Sequence, residues 1–436
     1  MLKICCAFIC ASIILFGCST NKKTKSDAGI LNDIGTRYVK LGLKIGQYDR
    51  DFVDAYYGPD SLKPAPLVDS VMKKDSLLGE VNSLIVELDS IIKSTGKEDS
   101  SFQRATWMRQ QLVAFGRRIR IVSGEKTSFE KETEELFNVT VPVNNEQHFM
   151  DMIKRLDSLV PGKGSLTNRL DALNNKFIIP KNKVDTLFKL SLAEARKKTM
   201  QHFVLPGNES FKLEYVTGKS WSGYNWYQGK FESLIQINTD LPIMIERALD
   251  LACHEGYPGH HVYNMLLEKN LYVDKGWVEI SLYPLFSPQS LIAEGSANYG
   301  IEITFPGAEK VQFIKNILLP AAGMDTTNLE IYLEVLELKA GLNYARNEVA
   351  RGLINGKLTE AEALLWLTTY SLASPASAAK SISFIKSYGS YLICYNYGLD
   401  LVRAYIEKGN PSTEKHWDRF SYLLSNPVTT TQLMNK

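Results

Sequence analysis

The chain has 436 residues, of which 44% are hydrophobic and 10% aromatic, so it can bury a large core and intrinsic disorder is excluded. Its 50 Lys and Arg nearly balance 48 Asp and Glu, and no basic stripe runs through the body, which excludes the electrostatic footprint of a nucleic-acid binder. Length alone suggests two or three domains, or one helical body with two lobes.

Lys3 precedes an apolar stretch, Ile4 to Phe16, that is too short to span a bilayer as a stable helix. It ends in Leu15-Phe16-Gly17-Cys18, which resembles the lipobox of bacterial lipoprotein signal peptides. There a small residue before the Cys permits cleavage and the thiol is lipidated. The polar run Ser19 to Ser26 suits a flexible tether. The expected division is a signal peptide over 1–17, a lipidated Cys18 and tether over 18–30, and an exported, membrane-anchored body. Ser19 after Cys18 favours the outer membrane under a sorting rule of some bacteria, with the body periplasmic or at the surface. Of the six Cys, only Cys253 and Cys394 lie beyond the leader, too few for a disulfide scaffold. Two buried thiols are the expected state, and whether they pair stays open.

From Ile30 the periodicity is helical. Tyr38, Leu41, Leu43 and Ile45 lead to Val53-Asp54-Ala55-Tyr56-Tyr57-Gly58-Pro59, where Gly-Pro stops the element. Amphipathic helices are predicted over about 66–95, 99–123, 145–160 and 183–201. Residues 232–238 are short, β-branched and partly alternating, which predicts a strand. Thr239 and Asp240 then read as N-caps and Pro242 as a first-turn proline, predicting a helix over 241–254 that delivers His254 directly after the strand. Further helices are predicted over 288–304, 308–320, 326–354, 358–370 and 376–408. The expected fold is mostly α, a two-lobed helical body with a groove and a small β-sheet next to the metal-site helix. Residues 31–205 form one lobe, and 206–436 form the lobe holding the chemistry.

Three of the six His fall in His254-Glu255-Gly256-Tyr257-Pro258-Gly259-His260-His261. Neutral imidazoles bind zinc, and a carboxylate beside the first ligand can take a proton from an activated water. On an unbroken helix, residues six apart point about 120° away from each other and residues seven apart sit about 10 Å along the axis. Neither pair could share one ion, so the Pro258-Gly259 step must distort the helix and bring His260 or His261 back over His254. Glu294, at the start of a predicted helix, is the candidate third ligand.

The run from Gln236 to His261, with its H-E-x-x-P-G-H-H core, resembles the bacterial domain-of-unknown-function 885 family, which is similar to gluzincin-type zinc metallopeptidases. Glu294-Gly295-Ser296-Ala297-Asn298-Tyr299 is similar to the family's E-G-W-A-x-Y element, with Ser296 in place of Trp. Val53 to Pro59 matches a motif of one branch. Tyr395-Asn396-Tyr397-Gly398 is similar to Y-K-I-G, although Gly389-Ser390-Tyr391-Leu392 replaces the usual P-G-Q-A. The resemblance spans most of the body, and only the His-Glu core is highly specific. It implies a gluzincin or carboxypeptidase Taq-like fold and one zinc ion held by His254, Glu294 and either His260 or His261. His260 is preferred because Gly259 precedes it, as in related carboxypeptidases. Glu255 is then the general base, and His261 contacts substrate or a carboxylate. Tyr395 is a candidate oxyanion donor as well as a candidate buried aromatic. Arg346 and Arg403 are candidates for a substrate carboxylate, or for ordinary salt bridges. The strand at 232–238 could accept an extended peptide at its edge.

The expected activity is zinc-dependent hydrolysis of peptide bonds. The alternatives are a lipid-anchored binding protein with a structural metal site, and a metal-dependent hydrolase of a non-peptide amide or ester. Oligomeric state, cleavage mode and side-chain preference are left open by the sequence.

Overall fold

Apolar residues recur at helical spacing from the first described turn. The computed structural model describes residues 27–67, 71–219 and 221–434. The leader, with its lipobox and Cys18, lies outside the described residues. Helix α1 (Asp27–Gly46) buries Leu31, Ile34, Tyr38, Leu41 and Ile45, steps of three and four that define one apolar stripe. Strand β1 (Val53–Tyr56) follows, then α2 (Lys74–Ser94), α3 (Ser100–Val122), α4 (Phe129–Phe137), α5 (Glu146–Leu159), α6 (Leu166–Asn174) and α7 (Val184–Thr199). Asp99, Ser128, Asn145 and Ser165 cap the starts of α3 to α6 by accepting from first-turn N–H groups. The helix expected from residue 66 begins only at Lys74.

Next comes a three-stranded sheet of β2 (Ser210–Val216), β3 (Gly223–Gly229) and β4 (Glu232–Asn238), in the order β2-β4-β3. Strand β4 is the one predicted, but it is central: β2 pairs with it in parallel and β3 antiparallel along its length. Its backbone is therefore taken on both sides, and the expected peptide addition at 232–238 is corrected. The β3–β4 turn places Lys230 and Phe231 at φ 56° and 66°, where non-glycine residues are rare. The buried carboxylate of Glu268 supports it, accepting from Lys230 N at 2.9 Å and Phe231 N at 3.2 Å.

The helix expected over 241–254 begins only at Ile245 as α8 (Ile245–Leu251). The proposed caps finish the sheet instead: Thr239 N donates to Val216 O, and the Asp240 carboxylate accepts from Gly218 N at 2.8 Å. After α8 come α9 (His260–Leu267), β5 (Leu282–Pro284) paired antiparallel with β1, and α10 (Pro288–Thr304). The chain continues through α11 (Ala308–Phe313), α12 (Leu319–Ala322), α13 (Leu329–Leu342), α14 (Tyr344–Ile354) and α15 (Glu360–Tyr370). It ends with α16 (Pro375–Tyr388), α17 (Ile393–Glu407), α18 (Thr413–Ser425) and α19 (Thr430–Met434). Two expected helices are each split. Residues 326–354 break at Asn343, and 376–408 break at Gly389, which holds φ 58°. The buried Glu132 carboxylate pins that second break, accepting from Ser390 N at 2.8 Å and Ser390 Oγ at 2.7 Å.

The fold is thus mostly α with small sheets. Among the described residues the buried apolar side chains form two clusters, and each has members on both sides of residue 205. One runs from Leu31 to Leu433, and the other joins Phe129 and Phe137 to Phe286, Leu367 and Ile393. The two halves meet through a buried ion pair as well. Arg104 on α3 holds Glu279 through Nε at 2.5 Å and Nη2 at 2.8 Å. Cys253 and Cys394 are separate buried thiols. No helix among the described residues is long and apolar enough to cross a membrane.

Candidate metal centre

After Leu251 the helix widens into a π turn over Ala252–Gly256, and Tyr257 N donates to Ala252 O five residues back. The chain then folds back sharply. Gly259 N donates to Cys253 O at 2.9 Å, and α9 starts at His260. Gly259 permits this return because it has no Cβ: one built there would lie 1.9 Å from His254 O and 2.4 Å from Cys253 O. The distortion expected at Pro258-Gly259 brings His260 over His254, with ring centroids 4.7 Å apart.

Three ligand-type atoms converge there. His254 Nε2 and His260 Nε2 are 3.1 Å apart, and Glu294 Oε2 lies 3.3 Å from the first and 3.6 Å from the second. Ligands at zinc's usual bond lengths of about 2.0–2.1 Å lie about 3.3–3.4 Å apart at the tetrahedral angle. The three atoms therefore fit the corners of one tetrahedral face. Glu294 Oε2 is buried without a conventional hydrogen-bond donor, whereas Oε1 accepts from Tyr391 Oη at 2.9 Å. A buried oxygen with no other partner, set between two imidazole nitrogens, completes a donor set that suits a divalent cation.

Glu294 is brought in by a close crossing of α10 and α17. A Cβ on Gly295 would lie 2.4 Å from Gly398 O, so the two glycines let the helix backbones meet. His254 is oriented by Asn298 on the same α10. Asn298 Nδ2 donates to Tyr395 O at 2.9 Å, which leaves Oδ1 to accept from His254 Nδ1 at 3.0 Å. Nδ1 then carries the proton and Nε2 faces its neighbours with a lone pair. Asn298 and Tyr391 lie inside motifs of the sequence, and neither is marked there by a role of its own. Their signal is weak: each is polar and lies four residues from a named site residue.

Charge in the cluster is strongly coupled. Burial would raise the Glu294 carboxyl, but the His254 and His260 imidazoles beside it outweigh burial and hold it far below the usual range. Burial works against a charged His260, yet Glu294, Glu255 and Asp54 push it up to about 9. Glu255 is 4% exposed, and burial raises its pKa against the pull of His254 and His260. Its carboxylate and the two imidazoles offer ligand-type atoms all within 4.8 Å of one another. Strand β3 walls it in: a Cβ on Gly223 would lie 2.9 Å from Glu255 Oε1, and Asn225 Nδ2 donates to Glu255 O at 2.7 Å.

Tyr395 lies beside the cluster, with its ring T-shaped against Tyr391 at 5.8 Å. Tyr395 is 38% exposed, so it is not the buried aromatic of the two readings; desolvation around its hydroxyl, with the charges of Glu294 and Glu255, keeps the phenol protonated and above its usual range. Arg346 is close enough to Tyr395 to oppose that rise. Among the described residues Arg346 has no ion-pair partner, and its Nε is buried without an acceptor.

Two expected substrate contacts are corrected. His261 is 0% exposed and faces away from His254; Nε2 is 3.0 Å from Glu209 Oε2 and Nδ1 is 2.8 Å from Ser233 Oγ. Both ring nitrogens are engaged in a buried network, so His261 is available neither to substrate nor to an ion. Arg403 is committed to Glu302, at 2.9 Å through Nε and 2.5 Å through Nη2, and to Asp400 at 2.8 Å. It is the ordinary salt bridge of the two readings.

No family model and no curated protein matches the chain. Among solved structures, the chain is similar to a candidate lipoprotein from Colwellia psychrerythraea, at 14% identity and a TM-score of 0.52, with 83% of this chain and 68% of that one covered. It also matches a candidate lipoprotein of unknown function from Shewanella oneidensis at 12% identity and a TM-score of 0.45, covering 86% and 73%. The first likeness is one of fold.

Proposed function

We propose that the chain is a zinc-dependent peptidase held at a membrane by a lipid on Cys18. One observation carries the reading. His254 Nε2, His260 Nε2 and the orphaned Glu294 Oε2 stand 3.1–3.6 Å apart, with the buried Glu255 carboxylate alongside. A purely structural ion needs no such neighbouring base. The leader sequence supports the lipid anchor, and so does the description of the Colwellia protein.

In this reading His254, His260 and Glu294 hold one zinc ion, which supplies Lewis-acid polarisation of the scissile carbonyl and activation of a water. Glu255 takes the proton as the water oxygen bonds to the carbonyl carbon, then delivers it to the departing amine nitrogen as the C–N bond breaks. Its burial beside two imidazoles suits a group that must accept and release a proton. The Tyr395 hydroxyl remains protonated and donates to the oxygen on which negative charge develops. Asn298 keeps the His254 lone pair turned inward. Arg346, with no ion-pair partner among the described residues, is available to a substrate carboxylate.

Glu255→Gln separates metal binding from turnover. The variant is expected to keep its zinc and its fold while losing hydrolysis of a mixed peptide library; hydrolysis at the wild-type rate would overturn the assignment.

A further inference from the structure

Asp54 belongs to the Val53–Pro59 motif that the peptidase reading leaves unused. It arrives from the N-terminal half of the chain, on β1. Val53 pairs with Pro284 and Ala55 with Tyr283, so two residues of β1 step past one of β5 and Asp54 sits in the resulting irregularity. Bulges of this kind re-aim a side chain and are common beside active sites. The side chain reaches Tyr224 on β3, whose hydroxyl donates to Asp54 Oδ1. Next to Tyr224 is Gly223, the residue packed against the Glu255 carboxylate.

Through Tyr224 and its neighbour Gly223, strand β3 links Asp54 to the candidate centre, and the charges of His260, Glu294 and Glu255 all act on it. Among the described residues it forms no salt bridge, and His260 is the one cationic influence on it. Tyr224 satisfies part of one oxygen, and burial, the dominant influence, raises the carboxyl to about 6. Asp54 is half-buried, and a partly desolvated carboxylate without a salt bridge gains from a cation that meets it. Its proximity to Glu255 favours a cation carried on the substrate backbone over one at the end of a long side chain.

Resting on the peptidase reading, we propose that Asp54 is a specificity residue that receives the free α-ammonium group of a short peptide, so that cleavage proceeds from the amino terminus. Tyr224 holds the carboxylate in place, and a blocked terminus leaves it unpaired.

The test is calorimetric binding to the full, zinc-loaded chain carrying Glu255→Gln, which removes turnover from the measurement. The probes are Leu-Gly-Phe, N-acetyl-Leu-Gly-Phe and N-acetyl-Lys-Gly-Phe. Acetylation is expected to weaken binding about 10- to 100-fold, as loss of a charged hydrogen bond does. Adding Asp54→Asn should shrink that gap to within about threefold, with Tm and zinc content unchanged. Equal binding of free and acetylated peptide, a gap that persists in Asp54→Asn, or full recovery with the acetylated Lys peptide overturns the proposal. If Asp54→Asn fails to fold, the acetylation gap with Asp54 intact still decides. Hydrolysis by the wild type is read separately. Ammonium-dependent binding without cleavage sinks the peptidase reading and keeps Asp54, whereas equal cleavage of free and acetylated peptides does the reverse.

Discussion

His254 Nδ1 lies 3.0 Å from Asn298 Oδ1, and this contact decides which imidazole nitrogen is left for the cluster. The amide cannot turn over without losing the bond from its Nδ2 to Tyr395 O. One side chain thereby fixes a tautomer on the π turn and ties α10 to α17. Asn298→Ala should preserve the fold and weaken zinc binding about 10- to 100-fold, read by competition with a chromophoric chelator. Unchanged affinity would show that the contact does not orient the ring.

The return of the chain at Gly259 gives a steric prediction. Gly259→Ala sets a methyl group 1.9 Å from a backbone oxygen, a clash that no rotamer relieves. It should cost more than about 3 kcal/mol of stability or abolish folding. Gly79 on α2 is the control, with nothing within 4 Å of its built Cβ. Gly79→Ala should stabilise by about 0.5–1 kcal/mol. Paired urea melts of the two variants check both signs.

The buried Glu209 network sets an acid limit. Burial alone would raise the Glu209 carboxyl, but hydrogen bonds from His261, Tyr257 and Arg196 together hold it at about 2, against 4.5 when free. A depressed carboxyl contributes stability in full above its unfolded pKa, and that contribution disappears as pH falls through the folded value. Glu209 is thus worth about 3 kcal/mol at neutral pH, lost between about pH 4.5 and 2. Glu209→Gln should show this deficit at pH 7 and a much smaller one near pH 2, measured by denaturant unfolding at each pH. An equal deficit at both would rule the linkage out.

Two tyrosines one turn apart should separate in function. Tyr395→Phe is expected to lower kcat about 10²- to 10³-fold with zinc content and KM little changed, as loss of one oxyanion donor does. Tyr391→Phe frees Glu294 Oε1 and should reduce metal affinity instead. Steady-state kinetics alongside metal titration would expose an exchange of these roles.

Much of this arrangement was legible in the sequence, because the His-Glu run carries its own geometry. Residues six and seven apart cannot share an ion on a straight helix, so Pro258-Gly259 had to mark a break. Which histidine returns was not legible: it depends on a π turn and on Glu209, forty-five residues before His254, claiming His261. The helices α3, α5, α7 and α10 were legible from periodicity. Strands β2 and β3 were missed. Residues 225–229 alternate buried and exposed positions, but the aromatics of the strand also fit a helical face or a loop. The split at Gly389 was hidden because its cause, Glu132, lies far away in sequence.

The most direct test is zinc content by elemental analysis of purified wild-type protein and of His254→Ala, His260→Ala and Glu294→Ala, all after metal-replete dialysis. About one zinc per folded wild-type chain, lost from each variant while helical content stays unchanged, is the predicted result. A folded wild type without zinc, or variants that retain it, would contradict the assignment of these three residues and the peptidase reading built on them.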